Sequence, residues 1–157
     1  MAPGEQTSGL EDEYLLCGDK PKLIYTGDLT EARDHYSTAA ALHTSLLEYE
    51  GSAYCLSGLA GLALRQGKPG VSARLIGASG YALQTVGAAV WPGMRSIGQA
   101  QRAAVTAALS PASFTAAAAE GARMRIPDAL AYGLAATEGR QESDPFADWA
   151  PRLRTAT

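Results

Sequence analysis

The sequence predicts an all-α protein made of antiparallel helix pairs stacked side by side. Three observations predict it. Thr26-Gly27-Asp28-Leu29-Thr30-Glu31-Ala32-Arg33 recurs, loosely, as Gln66-Gly67-Lys68-Pro69-Gly70-Val71-Ser72-Ala73-Arg74, with the two Ala-Arg pairs 41 residues apart. A period in that range is typical of helix-pair repeats. Apolar residues recur at helical spacing along most of the chain, and no segment shows sustained β-branched alternation. Alanine is abundant, and its methyl group loses no rotamer freedom in a helix. The 17 glycines pull the other way, and close approach of paired helices is the expected compensation.

Taken in order, residues 1–8 read as a flexible lead. Ser8-Gly9-Leu10-Glu11 has the form of a capping box and opens a short helix towards Cys17, broken by Gly18 to Pro21. Lys22 to Tyr25 is a brief apolar run, the remnant of a first repeat helix. Asp28 and Glu31 cap the next helix, whose stripe is Leu29, Ala32, Tyr36, Ala39, His43 and Leu46. Glu31, Arg33, Asp34 and Thr38 are expected in solvent, and the helix is expected to end near Gly51. Ser52 to Gln66 follows, with Ala53, Leu56, Leu59, Ala60, Ala63 and Leu64 inward, Gly67 as stop and Pro69 beyond.

A helix from Gly70 to Val86 carries Val71, Leu75, Ile76, Ala78, Ala82 and Leu83. Pro92 suits the first turn of the next, which uses Met94, Ile97, Ala104, Val105 and Leu109. Ser110-Pro111 pairs an N-cap serine with a first-turn proline, and Phe114, Ala117 and Ala118 then face inward. Pro127 opens a last helix with Ala129, Leu130, Tyr132 and Leu134. Residues 9–138 are thus one helical-repeat domain, and the polar stretch 139–157 is expected to be a disordered tail.

Composition excludes several classes of function. With 157 residues the chain suits a single domain that buries roughly 68–70% of its unfolded surface. Its net charge of −3 offers no basic stripe for a nucleic-acid backbone. No run approaches the ~20 apolar residues of a membrane span. Glu5, Glu11, Asp12 and Glu13 stand where a signal peptide needs positive charge, and Cys17 and Cys55 read as reduced thiols, with one disulfide left open. The expected compartment is the cytoplasm.

From Gly27 to Leu134 the chain resembles the C-terminal tetratricopeptide-like region of bacterial multidomain ATPase-type and LuxR-type transcription regulators. Gly27 through Arg33 carries the likeness, as do Leu56-Ser57-Gly58-Leu59-Ala60-Gly61-Leu62-Ala63 running to Gly67, and Ala73-Arg74-Leu75-Ile76-Gly77-Ala78. It closes on Phe114, Glu120-Gly121-Ala122-Arg123 and Asp128-Ala129-Leu130-Ala131-Tyr132-Gly133-Leu134. The resemblance implies a short right-handed superhelix that serves as an interaction or sensor region. Two departures stand out. Ala118 occupies the place where the family tends to carry tryptophan, and the second turn has one extra residue before Ala73. The ATPase of the full regulators has no counterpart here. The nearest approach to a phosphate loop, at Gly67-Lys68, has Leu62 for its first glycine and Pro69 for its hydroxyl.

No catalytic constellation emerges. The only histidines, His35 and His43, lie on one helix; with Glu31 they give two convergent ligands where a metal needs three or four. The bland reading is a solvated Glu31–His35 pair and a half-buried His43. No nucleophile elbow appears, and neighbouring carboxylates such as Glu48 and Glu50 do not face one another on a helix. The spacings Gly58 to Gly61 and Gly77 to Gly80 read as helix-packing faces, with ligand approach as the rarer use.

The leading expectation is therefore a non-enzymatic scaffold that binds a protein or peptide, a second copy of itself included. Tyr54, Arg65 and Arg95 are candidate contacts, and Phe146 and Trp149 are aromatic anchors in the tail. The alternative is a small-molecule effector domain with an apolar pocket around Tyr81, Trp91, Met94 and Phe114. No catalytic residue, metal or cofactor is expected.

Overall fold

The computed structural model describes residues 29–87, 89–90 and 92–138, apart from the side chains of 92–94. Six helices run in order among them: α1 Leu29–Leu46, α2 Tyr49–Arg65, α3 Pro69–Val86, α4 Pro92–Leu109, α5 Pro111–Ala122 and α6 Ile126–Ala136. The described residues contain no strand, and the fold is all-α with antiparallel packed pairs. The lead, the 9–17 helix, the 22–25 run, Cys17 and the 139–157 tail all lie outside the described residues.

One helix organises the rest. α2 is buried around nearly its whole circumference, from Gly51 to Arg65 with only Ser57 partly exposed. α1, α3, α4 and α6 all pack on it. Its sequence permits this because glycine, alanine, serine and leucine alternate around every face, so neighbours can approach from all sides. α6 turns back to pack on α1, α2 and α3. The main core joins Tyr36, Leu56, Leu59, Leu62, Leu75 and Leu130. A second cluster of Leu64, Ala73, Val105 and Ala117 fills the space between α2, α3, α4 and α5.

The two turns around α2 share one geometry. After α2, Lys68 N–H donates to Ala63 C=O at 2.9 Å and Gly67 N–H to Leu64 C=O at 3.1 Å, with Gly67 left-handed at φ 74°. This is the Schellman arrangement, which satisfies the last orphan carbonyls. After α1, Glu48 N–H donates to His43 C=O at 3.0 Å and Leu47 N–H to Thr44 C=O at 3.3 Å, and here Leu47 is the left-handed residue, at φ 53°. The α1–α2 break therefore falls at Leu47-Glu48 and not near Gly51. Gly51 is buried inside α2, where a Cβ would overlap the His43 ring. Leu46, expected on the buried stripe, is 63% exposed because α1 ends there.

Serines fix the α2–α3 register. Ser72 Oγ donates to Ala60 C=O and Ser79 Oγ to Ala53 C=O, each at 2.8 Å. The donors and the acceptors are both seven residues apart, which is two helical turns on antiparallel neighbours. The α3–α5 crossing is closer still. A Cβ on Gly77 would overlap the Ala118 backbone, and one on Gly121 would overlap the Arg74 carbonyl.

Candidate functional site

The first lesson of the described side chains is structural. Three polar groups converge on the C-terminal end of α6. Arg33 Nη2 donates to Leu134 C=O at 3.0 Å, Gln66 Nε2 to Thr137 C=O at 3.0 Å, and Lys68 Nζ to Ala136 C=O at 2.6 Å. Cations placed there satisfy carbonyls that lack intrahelical partners and complement the helix dipole. Arg33, expected in solvent, is half-buried for this reason. Its counterpart Arg74 donates from Nε to Glu120 Oε2 at 2.7 Å. That hydrogen bond raises the Arg74 guanidinium above its ordinary value against a lesser lowering by burial, and neighbouring Tyr132 adds to the rise.

The histidines take structural positions. His43 Nδ1 lies 2.7 Å from Glu48 Oε2 across the α1–α2 turn, and His35 Nε2 lies 3.5 Å from Glu31 Oε1 on α1. Among the described residues no three His, Cys, Asp or Glu side chains converge as a metal site would need. Cys55 is fully buried in the core.

A cleft of about 340 Å³ opens between α2, α3 and α4. Two helix faces form its walls. α3 presents Ile76, Ser79, Gly80 and Leu83, and α4 presents Arg95, Gly98, Gln99 and Arg102. Both sets follow the spacing that puts residues on a single helical face. Tyr54 and Ser57 of α2 form the floor, with Gln101 donating from its buried side chain to Ser57 C=O at 3.3 Å. Val90 also lines the cleft.

Its chemistry is simple. Apolar walls are joined by hydroxyls, amides and two guanidinium groups, and the described lining contains no carboxylate, histidine or cysteine. Arg102 stands over the Phe114 ring at 5.6 Å from its centroid, an arrangement that orients the guanidinium through its attraction to the π-face. Arg95 Nη2 lies at 3.5 Å from Val90 C=O.

The sequence candidates divide. Tyr54 and Arg95 meet in this cleft. Arg65 is buried, at 8% exposure, at the end of α2. Tyr81 is exposed on α3 but is not among the lining residues, and Phe114 lies beneath Arg102 outside the lining. Trp91, the Met94 side chain, Phe146 and Trp149 fall outside the described residues. Periodicity alone missed Ser79, Gly98 and Arg102, and it read Gly80 with Gly77 as a packing face, with ligand approach as the rarer use, whereas Gly80 lines the cleft. Their signal was present, since both wall faces carry helical spacing with a glycine at the centre. What sequence lacks is the knowledge that the two faces oppose each other.

Compared with protein-family models, with curated proteins and with solved structures, the chain finds no match. No helix among the described residues is long and apolar enough to cross a membrane.

Proposed function

We propose that this chain is a non-enzymatic helical-repeat module, of the sensor kind its sequence resembles, that binds its ligand in the α2–α3–α4 cleft. The observation that carries the reading is the cleft itself. It is concave, lined by three helices, mainly apolar with a few polar groups, and within the usual size range of ligand sites. Its described lining supplies binding groups but no proton-transfer pair and no activated nucleophile, which supports recognition over catalysis. Sequence ranks a protein partner ahead of a small effector; the cleft favours the reverse order.

A thermal-shift screen of small molecules against the full chain tests it. A ligand at 100 times its dissociation constant adds about 2.7 kcal/mol to stability. The expected result is a saturable rise that disappears in Gly98→Leu, where the new side chain enters open space in the cleft. A rise of the same size in Gly98→Leu, or no rise with any compound, would count against the reading.

Protein or self-association remains a second reading, on a separate observation. Leu46 and Leu47 are 63% and 75% exposed, and Tyr49 beside them is 40% exposed, giving an apolar group at one end of the bundle. Exposed apolar groups of this kind mark contact surfaces when they are contiguous.

A further inference from the structure

Glycine inside a helix costs on the order of 1 kcal/mol relative to alanine, so each one needs a reason. Most of the helical glycines here have a visible one. Gly51 makes room for the His43 ring, Gly58 for the Tyr36 ring, Gly77 and Gly121 for the backbone across the α3–α5 crossing, and Gly133 for Leu75 and Leu59. Gly80 and Gly98 differ, because a Cβ on either would meet nothing within 4 Å. Both line the cleft, one on each wall. A side chain on either of these two glycines would enter the cleft.

The charge pattern is equally uneven. Acidic residues outnumber lysine and arginine by 16 to 13 over the chain. Yet Arg95 and Arg102 share one face of α4, and no described carboxylate forms an ion pair with either. They stand seven residues apart, roughly 10 Å along the helix axis, with Gly98 between them. Ile76, Leu83 and Val90 provide apolar surface beside them.

We propose, on the basis of the cleft reading above, that the occupant is an organic carboxylic acid with an apolar body. The body lies against Ile76, Leu83 and Val90 in the space left by Gly80 and Gly98, and the carboxylate meets Arg95 and Arg102. A guanidinium offers two parallel N–H donors that match a carboxylate. Inorganic phosphate, which the same guanidinium groups also match, has no apolar body to lie against Ile76, Leu83 and Val90.

Calorimetric titration of the full chain with unbranched carboxylates from hexanoate to dodecanoate, below their micelle concentrations, tests this against the matching primary alcohols. Saturable binding of at least one carboxylate is expected, about tenfold or more tighter than its alcohol. Arg95→Gln and Arg102→Gln each weaken it by roughly five- to tenfold while leaving alcohol binding unchanged. Gly98→Leu and Gly80→Leu abolish binding without lowering the melting temperature, which also shows that these variants fold. Alcohols that bind as tightly as acids, with both blocked by Gly98→Leu, would overturn the carboxylate and leave the cleft reading standing. Carboxylate binding that survives Gly98→Leu and Gly80→Leu would overturn both. No saturable binding by any member of the series would overturn the carboxylate proposal.

Discussion

Two glycine-to-alanine substitutions of the same chemistry are expected to move stability in opposite directions. Gly121→Ala places a Cβ against the Arg74 carbonyl, whereas Gly98→Ala places one in open space. Alanine improves helix propensity by about 1 kcal/mol in both cases. At Gly98 nothing opposes this, so the variant is expected to gain about 1 kcal/mol. At Gly121 the clash is with backbone on a neighbouring helix, which cannot rotate away as a side chain can. Overpacking of this kind costs up to about 3 kcal/mol, leaving a net loss of about 2 kcal/mol. For a chain of this length the melting temperature moves by about 2–4 °C per kcal/mol, so Gly121→Ala should lie about 4–8 °C below the parent and Gly98→Ala about 2–4 °C above it. Thermal unfolding followed by circular dichroism, with urea midpoints as a check, reads both. The double variant Gly77→Ala with Gly121→Ala should lose less than the two single losses combined, because one separation of α3 from α5 relieves both contacts. A Gly121→Ala variant at or above parental stability would refute the close α3–α5 crossing.

Two further outcomes are expected. Leu47→Gly should raise stability by about 0.5–1 kcal/mol in urea unfolding, since a left-handed backbone costs a non-glycine residue about 1–2 kcal/mol and the Leu47 side chain is mostly exposed; a loss would mean that this turn is not held as described. Lys68→Met should cost about 1 kcal/mol and speed amide hydrogen exchange selectively at the end of α6, because it removes the charged donor to Ala136 C=O; uniform acceleration over all helices would refute a local latch.

Much of the architecture was legible because local chemistry announced it. Gly67 and Gly87 are both left-handed stops, as glycine at a helix end suggests, and Pro69 and Pro111 stand in the first turns of α3 and α5. The α1–α2 break was not legible, because the residue that takes the left-handed position is Leu47. The sequence offered Gly51 as the obvious punctuation instead. Only the tertiary contact between Gly51 and the His43 ring explains why that glycine belongs inside a helix. The cleft was half legible for a related reason. Tyr54 and Arg95 could be singled out as unusual side chains, whereas Gly80 and Gly98 matter through what they lack. An absence acquires meaning only once the facing wall is in place.

The recurring Ala-Arg passages show what such a repeat preserves. Ala32 and Ala73 are both fully buried, each where its helix meets a neighbour. The following arginine in each case leaves the buried stripe and reaches sideways to a later helix. Arg33 takes the Leu134 carbonyl of α6, and Arg74 takes the Glu120 carboxylate of α5. A buried methyl next to a long, half-buried cation is a compact brace: the alanine lets the helices close, and the arginine secures the helix that has arrived. Its long apolar stem covers the junction while the guanidinium finds an oxygen beyond it. The acceptors differ in kind, a main-chain carbonyl in one case and a side-chain carboxylate in the other. What recurs is therefore the position of the donor, and the partner is whichever oxygen the later helix presents. This separates the two pairs of arginines. Arg33 and Arg74 are occupied in joining helices, whereas Arg95 and Arg102 share the face of α4 that lines the cleft, where the proposed carboxylate would meet them.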